Sequence, residues 1–179
     1  SVDSESLFYA HCRNGMHPMI ERQLLTEVRL FMNQSKKAYQ ELLDDVRGAA
    51  QAVMSELGKD VVREIYSRGT KQGGEECKTN VKIAEKVARK RIRIRESGRT
   101  FEVHDLNDIV GLTIVVNYSE DTERVIRTLK SKLPEHVIVM NEEQKRSGGY
   151  YATHADCQAQ RGKSAGLICE VQVKAMLHD

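Results

Sequence analysis

Apolar residues recur at helical spacing in two runs of the N-terminal third. The first is Ile20, Leu24, Val28 and Phe31; the second, stronger run is Tyr39, Leu42, Leu43, Val46, Ala50, Val53 and Leu57. Such a repeat marks one buried face of an amphipathic helix. The spacing predicts a helix over 19–31 and another over 39–57. Gly58 closes the second, because glycine readily takes the left-handed conformation that follows a last helical turn. Residues 1–18 show no clean period and end at Pro18.

The period changes from residue 61. Residues 61–68 are short and rich in β-formers, so a strand is expected, followed by a loop over 69–76 that contains three glycines. Residues 80–94 return to helical spacing. Lys78, Lys82, Lys86 and Lys90 stand four apart and share a face, with Ala84, Val87, Ala88 and Arg91 inward or at its boundary. Residues 111–118 form a nearly continuous β-branched run, the signature of a strand buried on both faces. Ser119 is placed to cap the next helix, with Glu120 and Asp121 at its positive end. Val125, Ile126, Leu129 and Leu133 supply that helix's core face, Pro134 stops it, and a strand over about 136–140 follows.

Residues 150–158 and 167–174 alternate about the loop Gln160 to Gly166, which reads as an antiparallel hairpin with a long turn. Leu167, Cys169, Val171 and Val173 point one way; Ile168, Glu170, Gln172 and Lys174 point the other. On the first strand Tyr150, Ala152, His154, Asp156 and Gln158 share a face. If the two polar faces coincide, one side of the sheet presents an aromatic ring, a histidine, two acids and a lysine. The succession of strands and helices predicts an α/β (α+β) fold with a mixed sheet of about five strands flanked by helices. The helical connection between the earlier strands admits a parallel pair. A helical segment over 1–58 is expected to pack on a core over 59–179.

Composition changes this picture little. The chain has 179 residues, 40% hydrophobic and 30% charged, with a net charge of only +2. The charge is uneven: from Lys78 to Arg99 nine cations stand against two acids, Glu85 and Glu96. Such a stripe fits phosphates on a nucleotide, a nucleic acid or an acidic partner, and also an ordinary solvated helix face. Cys12, Cys77, Cys157 and Cys169 lack zinc spacing, so free buried thiols in a reducing, cytoplasmic setting are expected. No apolar run is long enough to span a membrane.

The candidate chemistry is phosphoryl-type transfer. It needs cations for a polyphosphate, carboxylates for a divalent metal, and a base for an attacking hydroxyl. Arg68, Lys71, Lys78, Lys82 and Lys86 can supply the first. Asp108, just before the buried strand, and Glu170 can supply the second, and Glu170 the third. Tyr150 offers a ring for a nucleobase. P-loop, Gly-x-Ser-x-Gly and His-Glu-x-x-His motifs are absent from the sequence.

Several segments resemble the RelA/SpoT synthetase family, in the family's order. Ile65-Tyr-Ser-Arg68, with Lys71 after it, is similar to the Arg-x-Lys donor segment, and Val81-Lys-Ile-Ala-Glu-Lys86 to the helix that follows it. Asn107-Asp-Ile-Val-Gly-Leu-Thr-Ile-Val-Val116 is similar to Asp-Ile-x-Gly-Ile-Arg-Ile-Val. Gly149-Tyr-Tyr-Ala-Thr-His154 resembles Gly-Tyr-Arg-Ser-Leu-His, and Glu170-Val-Gln-Val-Lys-Ala175 resembles Glu-Val-Gln-Ile-Arg-Thr.

The resemblance implies a nucleotidyltransferase-like architecture and transfer of pyrophosphate from ATP to a nucleotide's 3′ hydroxyl, with release of AMP. ATP is then expected along Arg68, Lys71, Lys78, Lys82 and Lys86, and Mg2+ on Asp108 and Glu170. Glu170 is expected to activate the acceptor, whose base meets Tyr150 and whose phosphates meet His154 with Lys145 or Arg146. Gln172 and Lys174 complete the acceptor side. The chain departs from the pattern at Thr113, where the family has an arginine packed on the donor adenine. It departs again at Tyr151 and Ala152, and at Lys174, where lysine lacks arginine's bidentate fork. These departures leave the acceptor open among guanosine nucleotides, adenosine nucleotides and the 3′ end of tRNA. The last two are acceptors of toxin-like members, which would bring an antitoxin or immunity protein as partner. A homo-oligomer is also admitted. A family helix after Met176 is missing, so the core is expected to be truncated there. A nucleotide-sensing module without turnover and an RNA-binding domain remain the competing readings.

Overall fold

The computed structural model describes residues 18–177. The aperiodic stretch 1–17, with Cys12, and the last two residues lie outside them.

Helix α1, Pro18–Leu57, is a single helix of 40 residues where the apolar pattern predicts two. Between the two runs Met32 and Ala38 are buried, and Ser35 is half-buried on the same side. Ser35 fills a seam position without an apolar side chain, so the stripe reads as broken while the backbone ladder continues. Tyr39, Leu42, Leu43, Val46, Ala50 and Val53 are fully buried. Each large side chain among them contributes roughly 1.5–3 kcal/mol by leaving water. Gly58 ends the helix at φ 80°, and its N–H donates to the Met54 carbonyl at 2.9 Å.

The elements after it are β1 (Val62–Ser67), α2 (Asn80–Ile94), β2 (Val110–Tyr118), α3 (Asp121–Lys132), β3 (Val137–Ser147), β4 (Tyr150–Ala159) and β5 (Ile168–Leu177). The five strands lie in the order β1-β2-β5-β4-β3. β2 runs parallel to β5, and the other neighbouring pairs are antiparallel. The sheet is therefore mixed. Its parallel pair joins β2 to β5, whereas the helical connection from β1 returns antiparallel.

The sheet has one apolar and one polar face. Leu112, Ile114, Val116, Cys169, Val171 and Val173 join the stripes of α1 and α3 in one core cluster. The opposite face carries Gly111, Thr113, Glu170, Gln172 and Lys174, in register with Asp156, His154 and Ala152 of β4. The polar faces of the hairpin coincide as the alternation suggested. β2 is buried on both faces.

Two local expectations are corrected. Ser119 does not cap α3 with its hydroxyl; its carbonyl accepts from the Thr122 N–H at 3.2 Å and the Thr122 hydroxyl at 2.7 Å. β3 does not stop near 140 but runs to Ser147 as an exposed edge strand. It turns into β4 through Gly148 and Gly149, at φ 54° and 81°, a pair of conformations that glycine takes without strain. Cys77, Cys157 and Cys169 are free and buried. Among the described residues no helix is long and apolar enough to cross a membrane.

Candidate active site

The site lies on the polar face where β1, β2 and β5 meet the start of α2. Arg68 follows the last residue of β1, and its N–H donates to the Gly111 carbonyl at 3.0 Å. The Arg68 guanidinium lies against the Gly111 Cα. A β-carbon on Gly111 would stand 2.6 Å from Nε and 2.7 Å from Cζ, and closer still to Nη2. Glycine thus lets the guanidinium lie on the strand by close approach, and a β-carbon here would push that flexible side chain aside.

From that position Arg68 joins two buried carboxylates. Its Nη2 donates to Glu170 Oε1 at 2.8 Å, and its Nη1 stands 3.7 Å from Asp108 Oδ2. Asp108 and Glu170 are each 6% exposed. Buried charges need partners, and both acids have them. Lys78 Nζ donates to Asp108 Oδ2 at 2.7 Å, and Lys86 makes a shorter contact with the same oxygen. Gln172 Nε2 donates to Glu170 Oε1 at 2.9 Å. Asn107 Nδ2 bridges Glu170 Oε2 at 3.2 Å and Asp156 Oδ1 at 3.0 Å. Asp108 Oδ1 is buried without a hydrogen-bond partner.

Local structure explains the lysines. The Lys78 N–H donates to the Ile109 carbonyl at 2.8 Å, which docks residue 78 beside Asp108. Thr79 caps α2, and Lys86 follows on the turns after it. The glycine-rich loop before them is tied to α1 by Lys36 to Glu75 at 3.1 Å and by a short Arg47–Glu76 pair.

Electrostatics follow from burial and pairing. Burial pushes the Asp108 carboxyl up, but hydrogen bonds from Lys78 and Lys86 outweigh it and hold its pKa below the ordinary value. Burial lowers Lys78 against the pull of Asp108. Burial also lowers His154, against the attraction of Glu170, whose Oε2 stands 3.6 Å from Nδ1. Asp156 is raised, first by burial and then by the charge of Glu170, against the hydrogen bond from Asn107. Burial raises the Tyr150 phenol, and Glu170 adds to it.

A cleft of about 570 Å³ opens over this group. Tyr66, Arg68, Lys71, Lys78, Lys82, Asp108, Thr113, Tyr150, Gln172 and Lys174 all line it. The residues singled out in the sequence divide within and around it. Arg68, Lys78, Lys86, Asp108 and Glu170 form one bonded cluster. Tyr150 stands beside it, its hydroxyl 3.4 Å from His154 Nε2 and its ring 5.6 Å from Lys174 Nζ. Lys82 is exposed on the wall. Lys71 is held away from the carboxylates by Glu64 at 3.0 Å. Lys145 is opposite Ala152 in register and shares the face of His154. Arg146 is opposite Tyr151, on the other face, and stacks over that ring at 4.7 Å from its centroid.

Sequence reasoning passed over Asn107 and Gly111 as site residues. Asn107 carried a signal, being a polar side chain immediately before a buried acid. Gly111 carried one too, as a glycine inside a β-branched run, which often marks a close approach.

Comparison with known proteins gives a family and a fold. The family model "Region found in RelA / SpoT proteins" matches residues 76–179. The fold is similar to the crystal structure of small alarmone synthetase 1 from Bacillus subtilis, at 19% identity over 83% of this chain and 71% of that one, with a TM-score of 0.55. The same synthetase bound to its product pppGpp matches at 19% identity over 83% and 72%, with a TM-score of 0.56. A third structure, with AMPCPP bound, matches at 19% identity over 83% and 69%, with a TM-score of 0.50. No curated protein sequence matches the chain. A family match over more than half of the sequence, on the segment that carries both buried acids, means that the chain belongs to the RelA/SpoT family.

Proposed function

We propose that the protein transfers a pyrophosphoryl group from ATP to the 3′ hydroxyl of a nucleotide. The observation that carries this reading is the bonded cluster of Asp108 and Glu170 with Arg68, Lys78 and Lys86, beside a cleft that Arg68, Lys78, Asp108 and Tyr150 line. It gathers the cations, acids and stacking ring that such a transfer needs.

The cation side receives the polyphosphate. Lys78, Lys86 and Arg68 neutralise Asp108 and Glu170 in the free protein, and a triphosphate offers them a second anion. Lys82 extends this wall, and Lys71 can reach it by leaving Glu64. The acceptor base stacks on Tyr150, and its phosphates meet His154, Lys145 and Lys174. Gln172 and Asn107 fix the Glu170 carboxylate. Glu170 takes the proton of the 3′ hydroxyl as the hydroxyl oxygen bonds to the β-phosphorus. The bond from that phosphorus to the α–β bridging oxygen breaks, and AMP leaves with the electron pair.

Mg2+ fits the donor set. Among the described residues no group of three or more His, Cys, Asp and Glu forms a metal cage. Magnesium does not need one, since it binds through one or two carboxylates together with substrate phosphates. Asp108, with its unpartnered buried Oδ1, and Glu170 would hold it. Bound there, the ion offsets polyphosphate charge and polarises phosphoryl oxygens.

A guanosine nucleotide is the favoured acceptor, because a structure of similar fold holds pppGpp as its product. Arg146 is left out of the acceptor set by its place over Tyr151. The test is AMP release from labelled ATP with Mg2+ and each candidate acceptor. The reading expects acceptor-dependent AMP that Glu170→Gln nearly abolishes while ATP binding persists. AMP release unchanged in that variant would remove Glu170 from the chemistry. ATP binding without AMP release in the wild type would leave a nucleotide-binding module.

A further inference from the structure

The cleft holds two tyrosine rings, and the acceptor accounts for one. Tyr66 is the other, on β1, two residues before Arg68 and on the same face of the strand. It is opposite Thr113 in the β1–β2 register, and both line the cleft. Thr113 is small and buried, so no large side chain rises beside the ring from the adjoining strand. The Lys71 ammonium lies over the Tyr66 ring, 4.2 Å from the centroid. That lysine side chain is 54% exposed, and it pairs with the exposed carboxylate of Glu64. The ring is therefore flat, half-exposed, beside the cation wall, and capped by a group that solvent can release.

We propose that Tyr66 is the platform on which the purine of the ATP donor stacks. Lys71 rests over the ring in the free protein and moves toward the phosphates when the purine replaces it. An exposed ammonium–ring contact is weaker than stacking of a base on a ring, so the exchange runs toward the purine. Each nucleobase then has its own tyrosine, Tyr66 for the donor and Tyr150 for the acceptor. The inference rests on the pyrophosphate-transfer reading and assigns a base-binding residue within it.

The test separates base from phosphate. Binding of a methylene-bridged ATP analogue and of inorganic tripolyphosphate, each with Mg2+, is measured by calorimetry on wild type, Tyr66→Ala and Tyr66→Phe. The expected result is a loss of about tenfold or more in analogue affinity for Tyr66→Ala. Tripolyphosphate affinity should stay unchanged, and Tyr66→Phe should bind both as wild type does. The chain contains no tryptophan, so Tyr66→Trp gives a single reporter that the analogue should quench and tripolyphosphate should not. Unchanged analogue binding by Tyr66→Ala, with tight binding by wild type, overturns the inference and leaves the donor reading standing. Equal losses for both ligands overturn it too, since Tyr66 would then act through the cations. Wild type that binds neither ligand refutes the donor reading itself, and this inference with it.

Discussion

Gly111→Ala should destabilise the protein in its natural background and stabilise it once Arg68 is gone. The added methyl group would overlap the Arg68 guanidinium, so that side chain must move off the strand. Its departure breaks the 2.8 Å bond to Glu170 and ends the 3.7 Å approach to Asp108. A charge-assisted hydrogen bond is worth roughly 1.5–3 kcal/mol. Arg68 is 33% exposed, which reduces the figure to about 1–1.5 kcal/mol. Glu170 keeps Gln172 and Asn107, so its carboxylate is not orphaned. Against this, alanine restricts the unfolded chain and returns about 0.5 kcal/mol. The net cost is about 0.5–1 kcal/mol, or a fall in Tm of about 1–4 °C for a chain of this size. In Arg68→Ala the clash is absent and only the gain remains, so the same substitution should raise Tm by about 1–2 °C. Thermal unfolding of wild type, both single variants and the double variant at neutral pH completes the cycle. The same shift in both backgrounds would refute the claim that Gly111 exists to seat Arg68.

Tyr150→Ala should weaken the acceptor by about tenfold and leave ATP affinity intact, as read by titrating each nucleotide separately; a selective loss of ATP affinity would mean the two sites are exchanged. The His154 imidazole should titrate below the usual value of about 6.5, and Glu170→Gln should lower it further by removing an attraction that opposes burial. An upward shift of the imidazole resonance midpoint in that variant would contradict this. Because the Asp108 carboxyl is held below its unfolded value, its contribution to stability is complete above about pH 4 and is lost as pH falls through the folded value. Denaturation midpoints of wild type and Asp108→Asn should therefore converge below about pH 4; a constant gap from pH 7 to 3 would refute the pairing.

Where burial imposes a period, the sequence already shows the element. α2 has the bounds its apolar spacing predicts, because Ile83, Ala84, Val87 and Ala88 form one buried side. β2 was readable as a strand buried on both faces, and the hairpin alternation put Glu170 and Asp156 each on a polar face, whose coincidence the register supplies. The far half of β3 was not readable. Residues 141–147 are exposed and carry no alternation, and their pairing is set by the turn at Gly148 and Gly149. The join within α1 was hidden for a similar reason, at Ser35. In the site, residue type and order suggested Asp108 and Glu170 as a pair. They could not show that Arg68 bridges them, because that contact spans 102 residues and depends on the bare surface of Gly111. Nor could they show that Arg146 turns to the opposite face, which follows from a register that the unread strand supplies.

The most direct test of the central claim is to incubate the protein with Mg2+ and ATP labelled in its β-phosphate, in separate reactions with GDP, GTP, ADP and tRNA. The account expects label to pass to one acceptor, which gains two phosphates, with AMP formed in equal amount. Label that stays with ATP, or is released as orthophosphate or free pyrophosphate with every acceptor, would contradict pyrophosphoryl transfer by this site.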